Sequence, residues 1–178
     1  MLFKGQNTYN MNSCETIEVF YNLRTDLDKL MAATNITKIV LDVTTENQNS
    51  YRILQLFLNT LYTISETDKE ISLVISIFKL RLLSILGFTP NVKECVNCKT
   101  TENLIYFSLK DNGFKCETCG RQDKGAIHML PETKDACSYS VLSPAKKIFS
   151  FTVPEQSIRE LEIISKLYLN EKLEKEYK

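Results

Sequence analysis

Cys95-Val96-Asn97-Cys98 and Cys116-Glu117-Thr118-Cys119 form two CxxC pairs separated by seventeen residues. A tetrahedral zinc needs four soft or borderline ligands, and a two-residue gap lets one tight turn aim two thiolates at one ion. The chain between the pairs must then return. Leu104 to Leu109 reads as a strand, and Asp111-Asn112-Gly113 is a hairpin signal ahead of Phe114 and Cys116. The spacing therefore predicts a zinc ribbon ligated by Cys95, Cys98, Cys116 and Cys119. Four thiolates close the coordination shell and leave no position for water, so the expected Zn2+ is structural. It would supply folding free energy to a ribbon with little apolar core of its own.

Two other readings of these thiols are a pair of disulfides and a CxxC redox site. The chain has six cysteines in 178 residues, and Met1-Leu2-Phe3-Lys4-Gly5 offers no apolar signal region. That points to a reducing, cytoplasmic setting, where metal is favoured over disulfide. A thioredoxin-like site needs one CxxC beside a βαβ pattern, and neither pair has one. Cys14 and Cys137 stand alone and read as small buried hydrophobes.

Lys plus Arg and Asp plus Glu number 22 each, so the basic excess typical of proteins that live on phosphate contacts is absent. Ile71 to Leu86 is the most apolar run, but it contains Lys79 and Arg81 and is too short to span a bilayer. It predicts a buried helix, and no membrane association is expected.

Taken in order, Leu2-Phe3-Lys4 and Thr8 to Met11 flank Gly5-Gln6-Asn7 as a small hairpin. From Glu15, the residues Ile17, Phe20, Leu23, Leu27, Leu30 and Met31 fall at helical spacing. Ile36 to Thr44 is β-branched, yet Ile36, Ile39, Val40 and Val43 fit a helical stripe, and a short helix is expected there. Asn49 or Ser50 caps the next helix, with Tyr51, Leu54, Phe57, Leu58, Leu61 and Tyr62 on one face. Thr67 and Glu70 predict a capping box for the core helix, which stops at Gly87. The ribbon occupies 91–126. Ala126 to Pro131 reads as a connection, Ser143-Pro144 as the start of a short helix through Phe149, and Thr152 to Glu155 as the entry to a last helix. In that helix Ile158, Leu161, Ile164, Ser165 and Tyr168 point inward, and Glu171 to Lys178 is a solvated charged run. The fold class is mainly α: a helical bundle interrupted by a four-cysteine zinc-ribbon β-hairpin, with a short N-terminal β-hairpin.

His128 is the only histidine and has no catalytic constellation around it. Phosphate loops, HExxH and nucleophile elbows are absent, so an enzyme is not expected. The ribbon carries Lys93, Lys99, Lys110, Lys115, Arg121 and Lys124 among Tyr106, Phe107 and Phe114. Basic residues interleaved with aromatics suit single-stranded DNA. Glu94, Glu102, Asp111, Glu117 and Asp123 nearly balance them, and the aromatics serve equally well to pack the ribbon on the helices.

Phe78, Leu80, Arg81, Leu82 and Leu83 lead into Leu86, Gly87, Phe88 and Pro90 and then the two CxxC pairs. This FxLRLLxxLGFxP…CxxC…CxxC succession resembles the RecO recombination mediator family of bacterial DNA repair. Phe20 to Leu30 resembles that family's entry into its helical domain, and the likeness covers about residues 15–178. The resemblance implies a cytoplasmic, nucleoid-associated protein that binds and anneals single-stranded DNA. It also implies partnership with the ring-forming RecR and with the acidic tail of single-strand DNA-binding protein. Family members begin with an OB-fold of roughly eighty residues, a usual single-strand-binding barrel. Residues 1–14 correspond to a remnant of its last hairpin, so DNA binding is expected to be weakened. Lys99, after the first CxxC, departs from the glycine expected at a knuckle and from Gly120 at the second. A zinc-ribbon adapter unconnected with repair and a thiol redox protein are the alternative functions.

Overall fold

The computed structural model describes residues 2–6, 8–45 and 49–177. Strands β1 (Leu2–Lys4) and β2 (Tyr9–Met11) pair antiparallel with Leu2 opposite Met11. The expected N-terminal hairpin is present, and Phe3, Tyr9 and Met11 on it are exposed.

The helical region begins later than the periodicity predicts. Ile17 is 99% exposed, Phe20 takes a left-handed conformation, and Tyr21–Leu23 makes one 3₁₀ turn. Helix α1 then runs unbroken over Leu27–Val43. Asp26 sets its start, because its carboxylate accepts from the Asp28 and Lys29 amides at 2.9 and 3.1 Å. A cap inside the apparent stripe ends one reading and begins another. The β-branched segment expected as a separate short helix is the second half of α1, with Ile36 and Ile39 buried.

Helix α2 (Tyr51–Glu66) is also amphipathic, but by its other stripe. Ile53, Leu56, Thr60, Leu61 and Ile64 are buried, whereas Tyr51, Leu54, Leu58 and Tyr62 face solvent. Asn49, not Ser50, serves its N-terminus, accepting from the Tyr51 amide at 3.1 Å. Thr67 ends α2 instead of opening the next helix: its hydroxyl donates to the Thr63 carbonyl at 2.6 Å. No capping box forms, since Glu70 is itself the N-cap of helix α3 (Ile71–Ile85) and its carboxylate accepts from the Ser72 hydroxyl at 3.1 Å, not from a backbone amide.

Helix α3 is the centre of the molecule. Leu73, Val74, Ile77, Phe78, Leu80, Leu82 and Leu83 are each at most 2% exposed, and neighbouring helices cover it on several sides. Gly87 at φ +97° and the Phe88 amide, donating to the Leu83 carbonyl at 2.8 Å, close it as anticipated.

The chain then forms β3 (Leu104–Ser108), β4 (Gly113–Cys116), the one-turn helix α4 (Glu117–Arg121) and β5 (Ile127–His128). The sheet order is β4-β3-β5, antiparallel throughout. The expected connection at 126–131 thus adds a third strand, with the His128 ring edge-on to Tyr106 at 5.3 Å.

Helix α5 (Pro131–Leu142) follows, and its inner face is Thr133, Ala136, Cys137 and Ser140. Small side chains leave no large apolar stripe, so periodicity does not reveal it. Glu160 secures its start by accepting from the Leu130 amide at 2.9 Å and the Thr133 hydroxyl at 2.6 Å. The short helix expected at 144–149 is a run of turns, held by Lys147 to Pro144 and Ser150 to Lys147 amide–carbonyl bonds. Helix α6 (Glu155–Leu173) packs on α3 and buries Leu161, Ile164, Ser165 and Tyr168 as predicted, with Ile158 only half-buried. Its tail is not merely solvated. Glu174 turns the chain at φ +49°, Lys175 pairs with Asp42 at 2.6 Å, and Tyr177 is 9% exposed. Among the described residues no helix is long and apolar enough to cross a membrane.

Candidate metal centre

Two different local structures deliver the four thiols. Cys95 and Cys98 lie on a knuckle in which the Cys95 amide donates to the Thr100 carbonyl at 2.7 Å and the Lys99 amide to the Cys95 carbonyl at 3.0 Å. Lys99 takes φ +66°, the left-handed conformation a glycine would adopt more easily. The second pair straddles a strand end and a helix start: Cys116 closes β4 and Cys119 sits in α4. Gly120 is needed there for space, because a Cβ would lie 2.2 Å from the Tyr106 ring.

Hairpin geometry closes the square. Asn112 takes φ +57° at the end of the Leu109–Asn112 loop, while Gly113 is already in β4 opposite Ser108. A Cβ on Gly113 would sit 2.5 Å from the Asn91 carbonyl oxygen, so the Asn-Gly pair serves turn and close approach together. The Val96 amide donates to the Phe114 carbonyl at 2.9 Å and ties the first knuckle to β4.

The four Sγ atoms lie within 4.8 Å of one another, with Cys98 and Cys116 at 3.6 Å. Bonds of about 2.3 Å to a tetrahedral zinc put sulfurs about 3.8 Å apart. None of the six cysteines is in a disulfide. Electrostatics follow the crowding. Burial pushes the Cys95 thiol up, but amide donors of Cys98, Cys116 and Asn97 outweigh it and bring the group down to about 6. At Cys98 the Thr100 amide pulls down, yet the Cys116 and Cys95 sulfurs win and the thiol is raised. Cys119 is pushed up to about 12, first by the Cys116 sulfur and then by burial. The Cys95 thiolate forms readily while the Cys98 and Cys119 thiols resist, and a divalent cation bound among them would favour the ionised sulfurs.

The site is welded to the bundle. Phe107 and Phe114 are fully buried and meet edge to face at 6.1 Å. Phe107 also meets Tyr168 of α6 at 5.3 Å, and the Tyr168 hydroxyl donates to the Phe88 carbonyl at 3.1 Å. These ribbon aromatics are core residues and are not available to stack on bases.

Residues 24–178 match the family described as "Recombination protein O C terminal". The chain is 43% identical over 178 residues to the DNA repair protein RecO of Acetivibrio thermocellus, covering 99% of this chain and 71% of that protein. It is 31% identical over 178 residues to the RecO of a Thermoanaerobacter species, covering 100% and 72%. For the RecO of Alkaliphilus metalliredigens the identity is 30% over 170 residues, covering 95% and 69%.

The chain belongs to the RecO family. A role in DNA repair and recombination follows from that membership, and neither an unrelated adapter nor a thiol redox protein gains support from it. In this RecO-family chain the six ribbon cations are not equivalent. Lys115 is 4% exposed and bridges Asp111 and Asp123, the latter at 2.8 Å. Ser108 donates to the same Asp123 oxygen at 2.7 Å. This is an internal brace, and it withdraws Lys115 from any surface. Lys99 pairs with Glu94 at 3.2 Å and Arg121 with Glu117. Lys93, Lys110 and Lys124 are exposed and form no ion pair among the described residues. Of the six cations expected to meet DNA, these three are both exposed and unpaired among the described residues. The Lys115 brace was hidden in the sequence, although Asp111 at i−4 was its one visible hint.

Proposed function

We propose that this chain is a non-catalytic recombination mediator whose helical and ribbon regions hold single-stranded DNA for annealing and recombinase loading. Membership of the RecO family across nearly its whole length is the observation that carries this reading. On the same reading, RecR and the acidic tail of single-strand DNA-binding protein are its partners, and it works in the cytoplasm at the nucleoid. Zn2+ is the ion for Cys95, Cys98, Cys116 and Cys119, chosen by the all-thiolate donor set and the sulfur spacing. Bound there, it acts as a structural clamp and leaves no site for chemistry.

Residues 1–14 are taken as a hairpin belonging to a single-strand-binding barrel, and 15–178 as the helical domain with its ribbon at 91–126. Exposed Phe3, Tyr9 and Met11 support that assignment, because a lone two-stranded hairpin is marginal in water and such side chains want cover. Lys93, Lys110 and Lys124 are the cations left to meet phosphates.

The test is fluorescence anisotropy of a labelled single-stranded oligonucleotide, titrated with zinc-loaded protein at several salt concentrations. Binding that weakens steeply with salt is expected from phosphate contacts. No binding even at low salt would remove direct DNA handling from this chain and leave partner binding alone.

A further inference from the structure

Lys79 is the one lysine on the inner face of α3. It is 6% exposed, and its ammonium makes no hydrogen bond and no ion pair within 4 Å among the described residues. A lysine this buried with no protein partner for its ammonium is uncommon, and here the ammonium reaches the open space beside it. Burial depresses its pKa below the usual lysine value, against the pull of Glu162. The side chain lines a half-open cavity of about 420 Å³ between α1, α3 and α6. Ile36, Ile39, Ile71 and Ile75 make the apolar wall, and Lys166 of α6 adds a second cation.

We infer that this cavity is a binding site for a small organic monocarboxylate carried on an apolar body, its carboxylate between Lys79 and Lys166. The charge pattern selects the class. Asp28, Glu70 and Glu162 line the same cavity, so a polyanion such as a phosphate chain faces three carboxylates against two ammonium groups. A single carboxylate that satisfies Lys79 avoids most of that repulsion, and the isoleucines take its hydrocarbon. The site is separate from the ribbon and does not depend on the DNA-binding reading.

Hexanoate and hexan-1-ol share a hydrocarbon body and differ in charge, so the pair isolates the role of Lys79. Methyl spectra of the zinc-loaded chain should show saturable shifts at Ile36, Ile39, Ile71 and Ile75 with hexanoate. Hexan-1-ol should bind about tenfold more weakly or worse, the margin of one charge-assisted contact. Lys79→Met and Lys79→Gln should both erase the preference for the acid, with melting temperatures no lower than the parent's. Lys79→Arg should restore part of it. Equal affinity for acid and alcohol overturns the inference, as does a preference that survives either neutral variant. Unsaturable shifts, or shifts centred on other methyls, do the same.

Discussion

The Phe107 ring of the ribbon stands edge-on to the Tyr168 ring of α6, with centroids 5.3 Å apart and planes at 77°. Both side chains are fully buried, so the metal-bearing sheet and the helical bundle share one core. A ribbon hung outside the bundle would lose its metal locally. This one should not.

Phe107→Ala should therefore cost about 3–5 kcal/mol, the range for a buried aromatic truncated to alanine. Tyr168→Phe removes only the bond to the Phe88 carbonyl and should cost about 1 kcal/mol. Urea unfolding followed by far-ultraviolet dichroism gives both values. With cobalt in place of zinc, loss of the thiolate absorption should coincide with loss of helix. Two separated transitions would show that ribbon and bundle melt independently.

Metal content should report the four ligands alone. Cys98→Ser and Cys119→Ser should drop bound zinc from one equivalent towards none after dialysis against a chelator. Cys14→Ser and Cys137→Ser should keep the full equivalent. In the zinc-loaded parent a thiol reagent should count one fast group, exposed Cys14. Burial pushes Cys137 up to about 12, so it should react only as the protein unfolds.

The Lys115 brace makes a pH prediction. The Lys115 ammonium, then the Ser108 hydroxyl, hold the Asp123 carboxyl down to about 2, below its ordinary 3.8. A carboxyl depressed in the folded state stabilises above its unfolded pKa, and that stability fades as pH falls from about 4 towards 2. Comparing parent with Asp123→Asn across this window cancels the acid release of metal common to both. The difference in unfolding free energy should shrink as pH falls. Lys115→Met, which strands two carboxylates, should cost about 3 kcal/mol at pH 7.

DNA affinity should respond to the three unpaired ribbon cations. Neutralising Lys93, Lys110 and Lys124 together should weaken single-strand binding and flatten the salt dependence by about 2, at roughly 0.7 per phosphate contact. Neutralising Lys99 and Arg121, already paired with Glu94 and Glu117, should change the slope less. An unchanged slope in the triple variant would place the phosphate contacts elsewhere.

The candidate metal site was almost wholly legible in the sequence. CxxC spacing is a short-range geometric demand, Asn112 and Gly113 sit where the turn needs them, and Lys99 holds the left-handed position where a glycine was expected. The roles of the two glycines were less legible. Gly120 serves the Tyr106 contact and Gly113 the approach of Asn91, both made by chain distant in sequence. The candidate DNA surface was legible only as a list of cations, because pairing and burial depend on what lies across the fold.

Local chemistry alone determined the thiol cluster, the all-round apolar α3 and its stop at Gly87, and the inward face of α6. Within each CxxC pair and each helix the signal rests on neighbours a turn or two apart, and a hairpin written in the intervening chain joins the two thiol pairs. Tertiary structure decided which of two apolar stripes α2 would bury, choosing Ile53, Leu56 and Ile64 over Tyr51, Leu54 and Tyr62. It made α5 from small residues that pack closely beneath Glu160, and it turned Lys115 inward to Asp123. Periodicity announces that a face exists. The partner surface that removes it from water is set by elements far along the chain, and only the assembled core chooses between faces.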